Sequence, residues 1–186
     1  MNAVILDGWR EEEKAGLLPS LLGALAQAGA QTEVFTLREI AIAPCLGCFG
    51  CWIRTPGECV IDDDARRVAR AVAESDVLIL FTPVTFGGYS SLLKGALDRM
   101  IPNLSPFEQR YRGETHHARR YARPPSLAGL GSLPRPDREA ERIFKTLVER
   151  NALNLQSPRV AATVVSCEGR GEVRAQVGAL VEAVTR

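Results

Sequence analysis

Four clustered cysteines are the residues of this sequence whose types and spacing most clearly predict chemistry. Cys45, Cys48 and Cys51 recur at every third position, and the glycines between them allow the tight winding that would place three thiolates around one centre. Cys59 follows a Pro-Gly pair, and a turn there could return it as a fourth ligand. The spacing favours a [4Fe–4S] cluster bound by these four residues.

Other chemistries remain open for the same cysteines. A reversible dithiol/disulfide pair needs only two of the thiols, and inert thiols are a further alternative. Zinc is less favoured because its usual sites take two separate pairs of ligands, each from a short turn, rather than three cysteines from one run. A disulfide framework is disfavoured because thiols stay reduced in the cytoplasm. Cys167, at the end of the last predicted strand, is interpreted as a small buried residue.

The glycine-containing loop TPVTFGGYS, at residues 82–90, is the second candidate site. Two glycines would let the backbone approach a planar ligand, while Phe86 and Tyr89 could cover that ligand. The alternative interpretation is an ordinary strand-to-helix turn in which Ser90 is the N-cap.

Five runs rich in Val, Ile and Leu alternate with segments of helical periodicity, which is typical of a parallel sheet covered on both faces. The predicted strands are residues 3–7, 32–37, 77–82, 126–133 and 159–165. Right-handed connections would give an α/β, flavodoxin-like three-layer sandwich with a five-stranded parallel sheet in the order 2-1-3-4-5. The ligand crevice is then expected at the carboxyl ends of the first and third strands. Asp62 and Asp137 are predicted N-caps of two of the helices.

Composition is that of an ordinary globular chain. The 186 residues are 46% hydrophobic and carry a net charge of +1. A dedicated nucleic-acid binder usually has a much larger excess of basic over acidic residues. The length predicts one domain that needs neither disulfide nor metal to hold its core. No run is apolar enough for a membrane helix, and the first residues do not resemble a signal peptide. We therefore expect a cytoplasmic protein without nucleic-acid or membrane partners.

The stretches CLGCFGCWIRTPGECVIDDD and TPVTFGGYSSLLKGALDR together resemble the flavodoxin-fold NADPH-dependent FMN reductases, especially their iron–sulfur flavoprotein branch. The likeness covers most of residues 41–99. It implies bound FMN, NAD(P)H as co-substrate and a homodimer or homotetramer. It further implies a set of contacts to the isoalloxazine ring from Pro83, Val84, Thr85, Phe86, Gly87 and Gly88.

The loop after the first strand departs from this family, which there has a Ser/Thr-rich run with an arginine. It reads GWREEEK at residues 8–14. A helix N-terminus offers free N–H groups, so we expect backbone amides from Gly8 onward and the Arg10 side chain to hold the FMN phosphate. The glutamates Glu11, Glu12 and Glu13 oppose an anion there, and alternatively stabilise a helix start.

Residues 101–125 form an Arg-rich arm that is too long for an ordinary connection. We expect it to contact another subunit or to cover the flavin. A phosphate grip on the nicotinamide dinucleotide, a nucleic-acid contact and a solvated loop are the alternatives. His116 and His117 would point apart on a strand, which disfavours a chelating site.

Two charged features are interpreted as structural. The acidic residues 62–64 precede an amphipathic helix, where capping and the helix dipole favour acids, so a metal site is less favoured. Arg99 ends the next predicted helix, and we expect it to meet that helix's own C-terminal dipole rather than a substrate.

The sequence thus predicts one flavodoxin-like domain over residues 1–186, with a cysteine loop at 41–61 and the arm at 101–125. Its expected function is an FMN-dependent NAD(P)H oxidoreductase in which the cofactor does the chemistry, so no catalytic side chain is assigned. One alternative is a non-enzymatic iron–sulfur flavoprotein electron carrier. The other is a flavodoxin-fold protein without FMN that acts as a cysteine redox sensor or binding module. The electron acceptor is not identified.

Overall fold

The computed structural model describes residues 1–12, 16–166 and 172–186 of the chain. Its strands are β1 (Asn2–Asp7), β2 (Gln31–Thr36), β3 (Val77–Pro83), β4 (Leu104–Tyr111), β5 (Glu114–Arg119), β6 (Ser126–Leu133) and β7 (Val160–Ser166). Its helices are α1 (Leu17–Gln27), α2 (Gly50–Ile53), α3 (Asp64–Glu74), α4 (Ser91–Asp98), α5 (Arg138–Leu155) and α6 (Val173–Thr185), with a 3-10 turn at Ile101–Asn103.

Five of the strands form one parallel sheet in the order β2-β1-β3-β6-β7. The predicted α/β fold with a five-stranded parallel sheet is therefore confirmed. The stated order 2-1-3-4-5 differs, because β4 and β5 form a separate antiparallel hairpin inside the predicted arm. The last two sheet strands consequently become the sixth and seventh strands of the chain.

The sheet is buried on both faces because its strands are apolar at successive positions. On β1 and β3, alternate side chains enter opposite cores, as the period of two requires. One core holds Leu6 and Leu80 against α3, α4 and α5, and the other holds Ile5 and Ile79 against α1 and α6. This two-sided packing brings the loops after β1 and β3 together at the carboxyl edge of the sheet.

The helix ends agree with the sequence analysis in part. Asp137 is the N-cap of α5, as predicted, and accepts hydrogen bonds from two backbone amides. The N-cap of α3 is Asp63 rather than Asp62. The expected helix start at the glutamates is also wrong, because α1 begins at Leu17 after Gly16 and has no acidic residue in its first turn. Glu13, Lys14 and Cys167 lie outside the described residues.

Within the described ranges, no helix is both long and apolar enough to cross a bilayer.

The predicted arm is docked against the rest of the protein. The Trp52 indole N–H donates to the carbonyls of Ile101 and Leu104, at 3.2 and 3.1 Å. Further along the hairpin, the Gln109 side-chain amide donates to that of Gln156 at 2.9 Å. These contacts join the hairpin to the cysteine loop on one side and to the end of α5 on the other.

Candidate functional site

A cavity of about 840 Å³ lies at the carboxyl edge of the sheet. It is lined by the loop after β1, the end of β3, the start of α4, the ends of β6 and β7, and the start of α6. Its polar lining residues are Arg10, Glu11, Glu12, Ser20, Thr85, Ser90, Ser91, Ser132, Ser166 and Arg174. This is the crevice predicted from the fold, and it carries both cations and hydroxyl groups that an anionic ligand requires.

Arg10 reaches this cavity across the start of α4. Its guanidinium donates a hydrogen bond of 2.7 Å to the hydroxyl of Ser91. Arg174 enters from α6 and adds a second cation. Sequence reasoning missed Arg174, Ser132 and Ser166, because their strands and helix come from the far end of the chain. The signal that could have found them is a small hydroxyl residue at the carboxyl end of a sheet strand.

Gly8 occupies the tight crossing of β1 and α4. Its amide donates to the carbonyl of Phe81 at 2.8 Å, and its carbonyl accepts from the Ser90 hydroxyl at 2.5 Å. A Cβ atom at this position would lie only 2.7 Å from Leu93 Cβ. Ser90 also caps α4, because its hydroxyl accepts from the Leu93 amide. The capping interpretation of Ser90 is therefore confirmed, and Gly8 is needed for close packing at the rim of the cavity.

Residues 85–88 form a tight two-residue turn after β3. Thr85 and Gly88 exchange both backbone hydrogen bonds, at 3.0 and 2.9 Å. Phe86 and Gly87 lie between them with φ values of 51° and 76°, which is the pairing of a type I′ turn. The Phe86 ring is fully exposed beside the cavity. This turn presents backbone and one aromatic ring to solvent, as a flat ligand would need.

Two neighbours of this turn face the protein interior. Tyr89, expected to cover a ligand, instead packs edge-on against Phe144 and accepts a hydrogen bond of 2.8 Å from the Asn151 amide. Burial raises the pKa of its hydroxyl to about 12. The Val84 side chain is also buried, while its amide donates to the Ser132 carbonyl at 2.8 Å. The covering role of Tyr89 is therefore wrong, and Val84 can offer a ligand only its backbone.

Trp9 lines the cavity and carries a buried donor. Its ring packs against Phe81 with centroids 5.8 Å apart. Among the described residues, its indole N–H is buried without a hydrogen-bond partner. Such a group costs about 1–3 kcal/mol when it stays unpaired, and an acceptor atom of a ligand could relieve that cost. The donor fits a cavity that is completed by a bound polar molecule.

The four cysteines share one site beside α2. Cys51 is buried, Cys59 is partly buried, and Cys45 and Cys48 are exposed. Burial, and then the proximity of Cys59, raises the pKa of the Cys51 thiol, and the other two sulfurs add to the effect. In the part of the chain that the structure describes, no three Cys, His, Asp or Glu side chains are gathered closely enough to hold a metal ion. The loop thus places the four thiols near one another, but their sulfur atoms do not converge on a single metal position.

Carboxylates that follow the cysteine loop in the chain hold its first residues. The amide of Ala41 donates to Asp64 at 2.8 Å, and the amide of Ala43 donates to Asp63 at 2.9 Å. Asp62 pairs with Arg66 on the surface. The acidic run is therefore used in capping, as the structural interpretation predicted, and it also braces the cysteine loop.

Arg99 is wholly buried beside the cysteines. Its guanidinium donates to both carboxylate oxygens of Asp63, at 2.7 and 2.8 Å, and to the Cys59 sulfur at 3.3 Å. Burial opposes its charge, but hydrogen bonds to Asp63 and Cys59 raise the pKa of Arg99. The expectation that Arg99 meets the dipole of its own helix is therefore wrong, because its side chain turns toward the cysteine loop.

The two histidines of the arm point apart, as expected. His116 contacts Glu114 at 3.1 Å, and the His117 ring packs against Trp52 with centroids 5.1 Å apart. They form part of the hairpin's docking rather than a chelating pair.

The cysteine site and the turn at 85–88 are linked through α4. A second cavity, of about 990 Å³, is lined by all four clustered cysteines and also by Gly88 and Ser91. Ser91 lines the first cavity as well. The two cavities therefore lie on either side of the first residues of α4.

This sheet order, with a cavity at the carboxyl ends of its strands, defines the class of flavodoxin-like α/β proteins. The sequence model of the NADPH-dependent FMN reductase family matches residues 3–128, which is more than half of the chain. The chain belongs to that family.

Relatives of known description agree with this assignment. An iron–sulfur flavoprotein of Methanocaldococcus jannaschii is 37% identical over 94 residues, covering 50% of this chain and 48% of that protein. An iron–sulfur flavoprotein of Archaeoglobus fulgidus is 35% identical over 86 residues, covering 46% of this chain and 38% of that protein. The chain therefore spans about half or less of the length of the curated relatives it matches.

A solved structure shows that the fold extends over nearly the whole chain. The NAD(P)H:quinone oxidoreductase of Methanothermobacter marburgensis superposes with a TM-score of 0.70 at 14% identity, covering 97% of each chain.

Proposed function

We propose that the protein is an FMN-dependent NAD(P)H oxidoreductase. The observation that carries the proposal is the cavity at the carboxyl edge, which joins two cations, several hydroxyls, a buried unpaired indole N–H and an exposed backbone turn in one crevice. The cations and hydroxyls fit the phosphate of FMN, the indole N–H fits one of its polar atoms, and the backbone turn fits its flat ring. When bound, FMN would supply the acceptor of hydride from NAD(P)H.

The protein's own residues bind and orient this cofactor. Arg10 and Arg174 hold the phosphate, and Ser91 keeps the Arg10 guanidinium in place. The expected backbone contribution from Gly8 onward is dropped, because the amides of Gly8 and Trp9 already donate to Phe81 and Asp7. The ring lies on residues 83–88, contacting Pro83, Val84, Thr85, Phe86, Gly87 and Gly88. No side chain needs to exchange a proton with the substrate, so the proposal assigns no catalytic residue.

The cysteine loop is proposed to hold a [4Fe–4S] cluster through Cys45, Cys48, Cys51 and Cys59. The donor set suits such a group by its chemistry, because the loop supplies four thiols and a buried guanidinium faces one of their sulfurs. Binding would require the four sulfurs to draw together around the irons. A bound cluster would supply one-electron transfer beside the flavin. The names of the archaeal relatives support the same assignment.

The protein is further proposed to be a single cytoplasmic domain over residues 1–186 that forms a homodimer or homotetramer. Apolar side chains are exposed on the cysteine loop and on the hairpin, namely Leu46, Phe49, Ile53 and Phe107. A second copy of the chain could cover them. NAD(P)H and an electron acceptor of another kind complete the set of partners.

Anaerobic purification followed by iron, sulfide and flavin assays tests the proposal. We expect bound FMN whose visible absorbance is bleached rapidly by NADPH or NADH. Cys48→Ser should lose iron and the broad visible absorption, whereas Cys167→Ser, outside the cluster segment, should keep both. Bound flavin that neither nucleotide bleaches would favour the electron carrier, and a colourless protein that cannot be reconstituted would favour the cysteine sensor.

A further inference from the structure

Arg99 contacts a carboxylate, two backbone carbonyls and a sulfur beside the cysteines. Its side chain is fully buried and donates two short hydrogen bonds to Asp63, while its Nε has no hydrogen-bond partner among the described residues. One Nη atom nevertheless also lies 3.3 Å from the sulfur of Cys59. Burying an arginine is costly unless neighbouring groups use its charge, so its placement against a sulfur points to a role beyond packing.

The same guanidinium holds the cysteine loop at both ends. It donates to the carbonyl of Ala43, just before the cysteines, at 2.6 Å, and to the carbonyl of Ile61, just after them, at 3.5 Å. Cys59 is separated from Cys51 by a longer stretch than the first three cysteines are from one another. Its position is therefore set by contact with Arg99 as well as by the winding of the loop.

We propose that Arg99 is a positioning residue that holds the Cys59 sulfur in the ligand set and raises the reduction potential of the group bound there. This inference rests on the proposed cluster at the cysteine loop. A cluster becomes more negative when it gains an electron, so a neighbouring cation and an N–H···S hydrogen bond stabilise the reduced form more than the oxidised form. Asp63 opposes this effect, because its carboxylate partly cancels the charge of Arg99.

The neighbouring Arg66 provides a matched control. It also braces Cys59, but its Nε donates to the backbone carbonyl at 2.8 Å rather than to the sulfur. Its side chain is 26% exposed and pairs with Asp62, so solvent screens its charge. Arg66→Gln therefore loosens the same loop without removing a buried N–H···S contact.

The experiment compares reduction potentials in anaerobically reconstituted protein. Each variant is loaded with iron and sulfide and its iron content is measured. Its midpoint potential is determined by a redox titration with mediators, in which the EPR signal of the reduced cluster separates it from the flavin. Arg99→Met combined with Asp63→Asn avoids leaving a buried carboxylate unpaired. This double variant should lower the reduction equilibrium constant about tenfold, or about 59 mV for one electron.

The two single variants should shift the reduction potential in opposite directions, which a purely structural role would not produce. Asp63→Asn leaves the cation uncompensated and should raise the potential, whereas Arg99→Lys, which cannot reach all the same acceptors, should lower it. Arg66→Gln should leave it within about threefold in the equilibrium constant.

Unchanged potentials in iron-loaded Arg99 variants, or shifts of the same sign for Asp63→Asn and Arg99→Lys, would overturn the inference while leaving the cluster in place. Failure of the wild-type protein to bind iron would overturn the cluster proposal, and this inference with it.

Discussion

Gly87 and Gly88 are adjacent in the turn after β3, yet a Cβ atom would have different consequences at the two positions. At Gly87, φ is +76° and a Cβ would lie 2.8 Å from Ile143, so a larger residue damages the protein itself. At Gly88, the nearest atom to a Cβ would be the Thr85 carbonyl oxygen at 3.6 Å, an ordinary contact. Only Gly88 can therefore report on a ligand without disturbing the fold.

We expect Gly88→Ala to fold with wild-type stability and to bind FMN about tenfold more weakly, equivalent to about 1.4 kcal/mol. The added methyl group would occupy space into which the flavin ring is proposed to settle. Fluorescence titration of FMN measures the dissociation constant. Gly95→Ala on α4 is the control, because no described atom other than those of its chain neighbours and its own helix backbone lies within 4 Å of its Cβ position. Equal FMN affinity in Gly88→Ala and the wild type would remove Gly88 from the flavin site.

The acidic pair in the first loop faces the proposed phosphate position. Glu11 and Glu12 line the same cavity as Arg10. Replacing both with glutamine should tighten FMN about thirtyfold, because each removed charge near a partly desolvated dianion is worth on the order of 1 kcal/mol. Riboflavin, which lacks the phosphate, should bind as before.

Calorimetry with both ligands separates these effects. Glu74→Gln combined with Glu149→Gln changes the net charge equally at exposed sites away from the cavity and should alter neither affinity. An equal gain for FMN and riboflavin in the Glu11 and Glu12 variant would show that the acids do not face the phosphate.

Residue types in the cysteine loop and the glycine-containing loop predict two candidate sites, and the structure has a cavity beside each loop. The sequence could not reveal that Arg99 turns from the end of α4 to Cys59, since those residues are 40 positions apart. It also could not reveal that Tyr89 is buried against Phe144, because Tyr suits both a core and a binding site. Such contacts depend on how helices pack, which periodicity alone does not specify.

The β4–β5 hairpin is the element that the sequence analysis missed. Its two-residue turn consists of Arg112 and Gly113, with φ values of 50° and 86°. Such a turn is usually recognised by Asn-Gly or Asp-Gly, so arginine at the first position hid the signal. Pro106 within β4 also argues against a strand from sequence alone.

The ion pair between Glu114 and Arg150 joins this hairpin to α5. Hydrogen bonds from Arg150, at 2.9 and 2.5 Å, are the largest cause that lowers the pKa of Glu114, and His116 adds to them. The pKa falls to about 2 from an ordinary value of 4.5. Because the folded-state pKa is lowered, the stabilisation is complete above about pH 4.5 and is lost as pH falls through about 2.

A carboxyl-selective NMR titration tests this contact directly. In Arg150→Gln, the pKa of Glu114 should rise toward its ordinary value, because the main donor is gone. Arg142→Gln is the control, since Arg142 lies on the same helix but pairs with Glu139. A Glu114 pKa that is the same in the wild type and in Arg150→Gln would contradict docking through this pair.

At the scale of the whole molecule, the sheet was predictable because burial on both faces forces long apolar runs. Residues 126–133 were predicted as a strand and coincide with β6. The two-sided core follows from alternation along β1 and β3. Apolar residues outside these runs, such as Ile53 and Phe107, are exposed and do not belong to either core of the sheet.

Ile53 and Phe107 are 78% and 76% exposed, on the cysteine loop and the hairpin, which meet at Trp52. Light scattering of the wild type should give about twice the 20.2 kDa chain mass or more. Ile53→Glu combined with Phe107→Glu should give the single-chain mass, because charges at a packed interface are costly to desolvate. Leu22→Glu is the control, since Leu22 is exposed on α1, on the opposite face of the sheet. An oligomer that survives the double change would move the interface elsewhere on the protein.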